Sequence, residues 1–213
     1  MSVGHLVLDR AARTLHDDAG RTFDLSTRRW APTGADASRD GKRLDAIEAL
    51  GWLQRESGHP LRVPVGVIGP RDATPLQLEL ARDVGEAIAR CGLAVICGGR
   101  HGVMQAVCEG VARAGGVSIG LLPDTEPALA NPYVSVAIAT GIGEARNALI
   151  ARAALCLVAI GDSYGTLSEV ALGRQFGKRV IGLAGAARVD GVVHVDTPRA
   201  AIEHVARVAL MLD

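Results

Sequence analysis

From residue 61 onward, short aliphatic runs alternate with stretches whose apolar positions recur every three or four residues. Aliphatic runs bounded by glycine mark strands covered on both faces of a sheet. They fall at 63–68, 94–97, 117–122, 133–139, 155–160 and 180–183, with a further short run at 192–195. Helical spacing predicts helices over 75–90, where Pro75 suits a first turn, and from 102 through 114. Others are expected over 145–153, from 166 to about 176, and over 198–210. Strand and helix in alternation predict an α/β fold: a doubly wound, mostly parallel, Rossmann-like sheet with helices on both faces.

Residues 1–60 follow another pattern. Strand candidates at 3–9 and 21–25 flank the turn-prone Asp17-Asp18-Ala19-Gly20, which predicts a hairpin. The polar stretch 27–41 reads as a loop. Leu44, Ile47, Leu50 and Leu53 give an amphipathic helix over about 40–56. The expected organisation is an N-terminal hairpin-and-helix extension over 1–60 and a nucleotide- or phosphate-binding domain over 61–213.

The stretch 145–170 (ARNALIARAALCLVAIGDSYGTLSEV) reads as helix, buried strand, glycine-rich turn and helix. Thr166 and Glu169 have the spacing of a capping box. A helix N-terminus behind Gly161-Asp162-Ser163-Tyr164-Gly165 offers unpaired N–H groups and the positive end of the macrodipole, which suits a phosphate. Glycine loops at 69–71 and 98–102 follow two other strands. In open α/β sheets the ligand crevice lies at the strands' carboxyl ends, where strand order reverses. Neither G-x-G-x-x-G nor a GK[ST] P-loop occurs in these turns.

Composition narrows the partners. With 213 residues, 48% hydrophobic, 26 glycines and 3% aromatics, the chain can bury one sizeable core with an appendage. Its 23 basic and 23 acidic residues balance, so no overall field draws it to nucleic acid or to an anionic membrane. Cys91, Cys97, Cys108 and Cys156 have neither CxxC nor metal-site spacing and read as small buried thiols, so no metal site is expected. No signal peptide is expected at the N-terminus, and no apolar run approaches the ~20 residues of a membrane helix. A cytoplasmic protein is expected. A Schiff-base lysine for pyridoxal-phosphate chemistry is also missing from the loops, since Lys42 and Lys178 both lie outside them.

Three motifs in order are more specific than any one of them: 97–123 (CGGRHGVMQAVCEGVARAGGVSIGLLP), Glu144-Ala145-Arg146-Asn147, and Tyr164-Gly165-Thr166-Leu167-Ser168-Glu169. Together they resemble the lonely-guy superfamily, which contains nucleoside 5′-monophosphate phosphoribohydrolases and molybdenum cofactor carrier proteins. The resemblance covers about 63–183, and Arg146-Asn147 in place of the hydrolases' Arg-Lys is similar to the carrier-type branch. It implies a Rossmann-like homodimer or homotetramer. It also implies that Gly161, Ser163, Gly165 and Thr166 hold a phosphate, with Gly98, Gly99 and Gly102 lining the opposite side and Asn147 and Tyr164 at the ligand. Arg146 and Glu169 would be the catalytic pair acting on a ribose. Against the hydrolase signature P-G-G-x-G-T-x-x-E, this chain keeps Tyr164, Gly165, Thr166 and Glu169 and has Gly161-Asp162-Ser163 where Pro-Gly-Gly stands.

Each residue has an ordinary alternative. Glu169 could only close a capping box, Asn147 cap its helix, Tyr164 pack over the loop or stack on a base, and His101 be a plain loop residue. Arg71 could reach a phosphate or lie in solvent. Two functions stay open: a protein binding a nucleotide or phosphorylated cofactor such as the molybdenum cofactor, with no cofactor required, and a phosphoribohydrolase. In the second, a carboxylate beside the sugar would stabilise an oxocarbenium-like state. Arg146, which keeps its proton, would orient substrate and carboxylate.

Overall fold

The structure is a computed structural model and describes residues 5–33 and 41–212. By internal contacts the chain divides into two compact units, 1–61 with 206–213, and 62–205.

The first unit is an antiparallel sheet with one helix. Strands β1 (Leu6–Asp9), β2 (Thr14–His16), β3 (Arg21–Asp24), β4 (Arg29–Pro32) and β5 (Lys42–Leu44) are ordered β4-β3-β2-β1-β5. The expected hairpin is thus part of a larger meander. Asp9 Oδ1 accepts the Ala12 N–H at 2.9 Å, which turns the chain early and sets Leu8 opposite Leu15. The turn at Asp17–Gly20 therefore joins β2 to β3 rather than β1 to β3. Part of the polar stretch 27–41 is also a strand. Trp30 pairs with Phe23 at a ring separation of 5.1 Å, and Pro32 is tolerated because β4 is an edge. Trp30 Nε1 donates to the Leu210 carbonyl at 2.7 Å. Residues 3–4 of the first strand expectation and 34–40 of the loop and helix expectations lie outside the described residues. Helix α1 (Ala46–Arg55) starts behind an Asp45–Glu48 capping box and buries Leu50, Trp52 and Leu53.

The second unit alternates strand and helix, as expected. Its strands are β6 (Val65–Ile68), β7 (Val95–Cys97), β8 (Ser118–Leu122), β9 (Val136–Ala139), β10 (Leu157–Ile160), β11 (Val180–Leu183) and β12 (Val192–His194). Its helices are α2 (Pro75–Arg90), α3 (Val103–Arg113), α4 (Arg146–Ala153) and α5 (Tyr164–Gln175); α6 (Pro198–Ala209) runs across the boundary between the units. The seven strands are parallel, in the order β12-β11-β10-β6-β7-β8-β9. Val65, Val67, Val95, Leu157, Val158, Ile160, Val180 and Ile181 are all buried, which explains their unbroken apolar runs. Right-handed crossovers place α2 and α3 on one face and α4 and α5 on the other. A Cβ at Gly85 would stand 2.2 Å from the Val107 carbonyl oxygen and one at Gly110 2.0 Å from that of Arg82, so glycine lets α2 and α3 touch backbone to backbone. Strand order reverses between β6 and β10. Among the described residues no helix is long and apolar enough to cross a membrane.

Candidate functional site

At the carboxyl ends of β6 and β10 the chain leaves in opposite directions, and a crevice of about 560 Å³ opens there. That volume is ordinary for a small-molecule site. Its walls come from loop 69–72 after β6, Gly98 after β7, the segment before and into α4, and the start of α5.

The α5 wall is built by its cap. Ser163, in extended conformation, is the N-cap: its Oγ accepts the Thr166 N–H at 3.1 Å and lies 2.9 Å from Thr166 Oγ1. The expected Thr166–Glu169 capping box does not form, because Ser163 offers an equivalent hydroxyl three residues earlier and the helix begins at Tyr164. Glu169 therefore sits in the second turn, 6% exposed and facing the crevice. Gly161 supports this turn from behind. It has φ +71°, and a Cβ there would fall 2.4 Å from Gln77 Nε2, which donates to the Ala184 carbonyl. Asp162 Oδ1 accepts the Ser163 N–H at 2.8 Å, so a carboxylate of the chain already holds one donor at this helix start.

Opposite α5 lies Arg146, the first residue of α4, with a side chain only 4% exposed. Its Nη1 donates to Glu169 Oε1 at 3.3 Å and to Asn147 Oδ1, while Asn147 Nδ2 donates to Ser168 Oγ at 2.9 Å. Asn147 thus ties the arginine to α5 as well as lining the crevice. Arg146 Nε is buried and, among the described residues, has no partner. Gly98 makes room for the guanidinium, since a Cβ there would lie 2.5 Å from Nη2. Burial pushes the Glu169 carboxyl up to about 8, against the lowering pull of Arg146, and the charge of Glu144 adds to the rise. At neutral pH the pair is an arginine beside a largely protonated acid. Such a pair can hold an anion and donate a hydrogen bond.

Of the residues singled out from sequence, Gly98, Arg146, Asn147, Ser163, Gly165, Thr166 and Glu169 line the one crevice. Gly99, Gly102, Gly161 and Tyr164 are not in its lining. Gly99 accepts from the Asn131 N–H and faces Gly120, while Gly102 packs on the backbone of Pro70 and Arg71. Tyr164 is 95% exposed. His101 is exposed in the loop before α3 and its ring meets Gln105 of that helix. Arg71 does line the crevice, together with Asp72, Glu144 and Met104, none of which the glycine pattern singled out as a ligand residue. The four cysteines are buried. Cys97 and Cys108 stand 3.6 Å apart, Sγ to Sγ, directly behind Gly98. Among the described residues no group of three histidines, cysteines or acids is placed to hold a metal ion.

A seven-stranded parallel sheet, with a glycine-walled crevice and a buried Arg–Glu pair at its switch point, defines a Rossmann-like α/β protein. The chain belongs to the SLOG cluster4 family, of the lonely-guy superfamily, whose family profile matches residues 62–210. An uncharacterized protein of Archaeoglobus fulgidus is 36% identical over 140 residues, covering 66% of this chain and 92% of that one. Two solved structures are similar along nearly their whole length. The molybdenum cofactor binding protein of the phototrophic bacterium Rippkaea orientalis shares 34% identity at a TM-score of 0.65, covering 70% of this chain and 98% of its own. The molybdenum cofactor carrier protein of Chlamydomonas reinhardtii shares 33% at a TM-score of 0.64, covering 71% and 100%. DNA processing protein A of Streptococcus pneumoniae, at 16% identity and a TM-score of 0.53 over 66% of this chain and 60% of that one, shares the fold alone.

Proposed function

We propose that the protein binds a phosphate-bearing small molecule, a nucleotide or a phosphorylated cofactor of the molybdenum cofactor type, in the switch-point crevice. The observation that carries this reading is the buried Arg146, a residue of the crevice lining whose Nε meets no partner among the described residues. A buried donor without an acceptor is costly, and an anionic ligand supplies one. Ser163, Gly165 and Thr166 at the start of α5 would add hydroxyl and backbone donors on the opposite wall. Similarity to molybdenum cofactor carriers along nearly their full lengths supports the same class of ligand. Homodimer or homotetramer assembly remains part of the proposal, on the strength of the superfamily.

The alternative is hydrolysis of a nucleoside 5′-monophosphate to free base and ribose 5-phosphate, which the meeting of Arg146 and Glu169 in one crevice favours. One feature weighs toward binding: a largely protonated Glu169 is a poor stabiliser of an oxocarbenium-like charge. The test is a panel of nucleoside 5′-monophosphates and phosphorylated pterins, read for thermal protection and, by chromatography, for base release. Protection without release is expected. Release by the wild type that Glu169→Ala abolishes would instead establish the hydrolase, and neither effect with any ligand would overturn both readings.

A further inference from the structure

Glu144 stands between two arginines, Arg71 from the loop after β6 and Arg146 from the start of α4. Its Oε1 meets Arg71 Nη2 at 3.2 Å, and its Oε2 lies 3.8 Å from Arg146 Nη2. Arg71 follows β6, whereas Glu144 sits on the short turn Gly143–Ala145 that leads into α4. All three line the crevice. The side chains of Arg71 and Glu144 are 50% and 64% exposed, so their pairing holds little net stability and exchanges readily. Arg146 is the opposite case: it is buried, always charged, and keeps one donor without an acceptor. A carboxylate bridging two arginines in this way occupies the position of an anion.

We infer that Arg71 and Arg146 form an anion-binding subsite of the crevice, that Glu144 is its internal occupant, and that an acidic group of the ligand displaces the Glu144 carboxylate. This rests on the proposed function and sharpens it. The displacing group must outcompete a singly charged carboxylate, which selects a phosphate monoester or diphosphate with its higher charge and additional acceptor oxygens. The guanidinium fork suits such oxygens geometrically. The turn bearing Glu144 is pinned by the Gly143 N–H to the Pro123 carbonyl at 3.0 Å, so displacement needs the side chain to swing while the backbone stays. Asp72 and Asp162 also line the crevice, yet among the described residues neither is ion-paired with Arg71 or Arg146. Asp72 is therefore the control for a mere change in overall charge.

The test is calorimetric titration of inorganic pyrophosphate and of guanosine 5′-monophosphate into the full chain and into Glu144→Gln, Arg71→Gln, the double variant and Asp72→Asn. Glu144→Gln is expected to tighten at least one probe by about fivefold, the scale of one exposed ion pair. In the Arg71→Gln background that gain should shrink below about twofold, because the two residues act through each other. Binding by Glu144→Gln where the wild type shows none would equally support the closed subsite. If the wild type binds but Glu144→Gln gains nothing, or gains as much without Arg71 or as Asp72→Asn does, the subsite is wrong and the proposed function stands. If neither the wild type nor Glu144→Gln binds either probe, the subsite falls, and the proposed function is decided by the wider panel of monophosphates and phosphorylated pterins.

Discussion

Gly98 and Arg146 are matched by subtraction: the guanidinium lies where a side chain at 98 would begin, 2.5 Å from the position of its Cβ. The same Cβ would be 2.7 Å from Met104 Sδ. Both obstacles are ends of flexible side chains, so Gly98→Ala should displace Arg146 rather than unfold the protein. A stability loss of about 1–2 kcal/mol is expected, with ligand affinity falling by about tenfold or more as the arginine leaves Glu169. Gly102→Ala is the contrasting case. Its Cβ would meet the Arg71 carbonyl oxygen at 2.2 Å in a backbone with φ +68°, so several kcal/mol should be lost, on the order of 3 or more. Denaturant titration beside ligand titration separates the two effects.

Glu169 makes stability depend on pH in an unusual direction. Its carboxyl titrates near 8 in the folded protein and near the ordinary carboxylate value of about 4.5 when unfolded, so the folded state binds the extra proton between these limits. Relative to Glu169→Gln, the wild type should lose stability steadily as pH rises from about 4.5 to about 8 and level off above, a change on the order of 5 kcal/mol. Thermal or urea denaturation of both proteins across this window is the check. A difference that grows in the wild type's favour with pH would mean that Glu169 is ionised against Arg146.

Arg146→Lys keeps the charge but replaces a planar fork by a point charge. One ammonium cannot meet Glu169, Asn147 and the ligand as the guanidinium does. Affinity for the best-protecting nucleoside monophosphate is expected to fall by about tenfold, roughly 1.4 kcal/mol, with the melting temperature nearly unchanged. Arg146→Leu should abolish protection altogether. Retained affinity in the lysine variant would show that only the charge matters at this position.

The thiols should be silent in the folded protein. Cys91, Cys97, Cys108 and Cys156 are all buried, burial pushes Cys156 up to about 12, and the contact between Cys97 and Cys108 raises Cys97 well above the ordinary thiol value while lowering Cys108, whose burial alone shields it from reagent. An aromatic disulfide reagent at neutral pH is expected to react about 100-fold more slowly with native protein than with protein in guanidinium. Fast modification of any thiol without denaturant would contradict the burial described.

Much of the second unit was legible because local and global signals agree there. Thr74-Pro75 caps a helix whose far end is Arg90, and the run 180–183 is buried on both faces, as its four apolar residues require. The errors arise where two local solutions have similar energy. Ser163 and Thr166 could each cap α5 by residue type, and Ser163 takes the role, which puts Glu169 in the second turn, buried. Trp30 lies in a segment whose arginines and proline hide a strand that its partner Phe23 creates. The crevice residues after β10 follow from the glycine turn, but the Arg71–Glu144 bridge spans 73 positions and leaves no local trace. Glycine type alone likewise could not separate Gly98, which faces the arginine, from Gly99 and Gly102, which serve the backbone behind it.

The first unit is assembled from the two ends of the chain: its sheet contributes Trp30, and the acceptor for that indole N–H is Leu210. A chain emerging from the ribosome presents residue 30 long before residue 210. The central unit, 62–205, contains all seven strands of its own sheet and can complete it while Trp30 still waits for its acceptor. The order of synthesis therefore makes a late-made turn the fastener of an earlier-made sheet. A released chain ending at residue 205 should have a protease-resistant central unit and an N-terminal segment still cleavable.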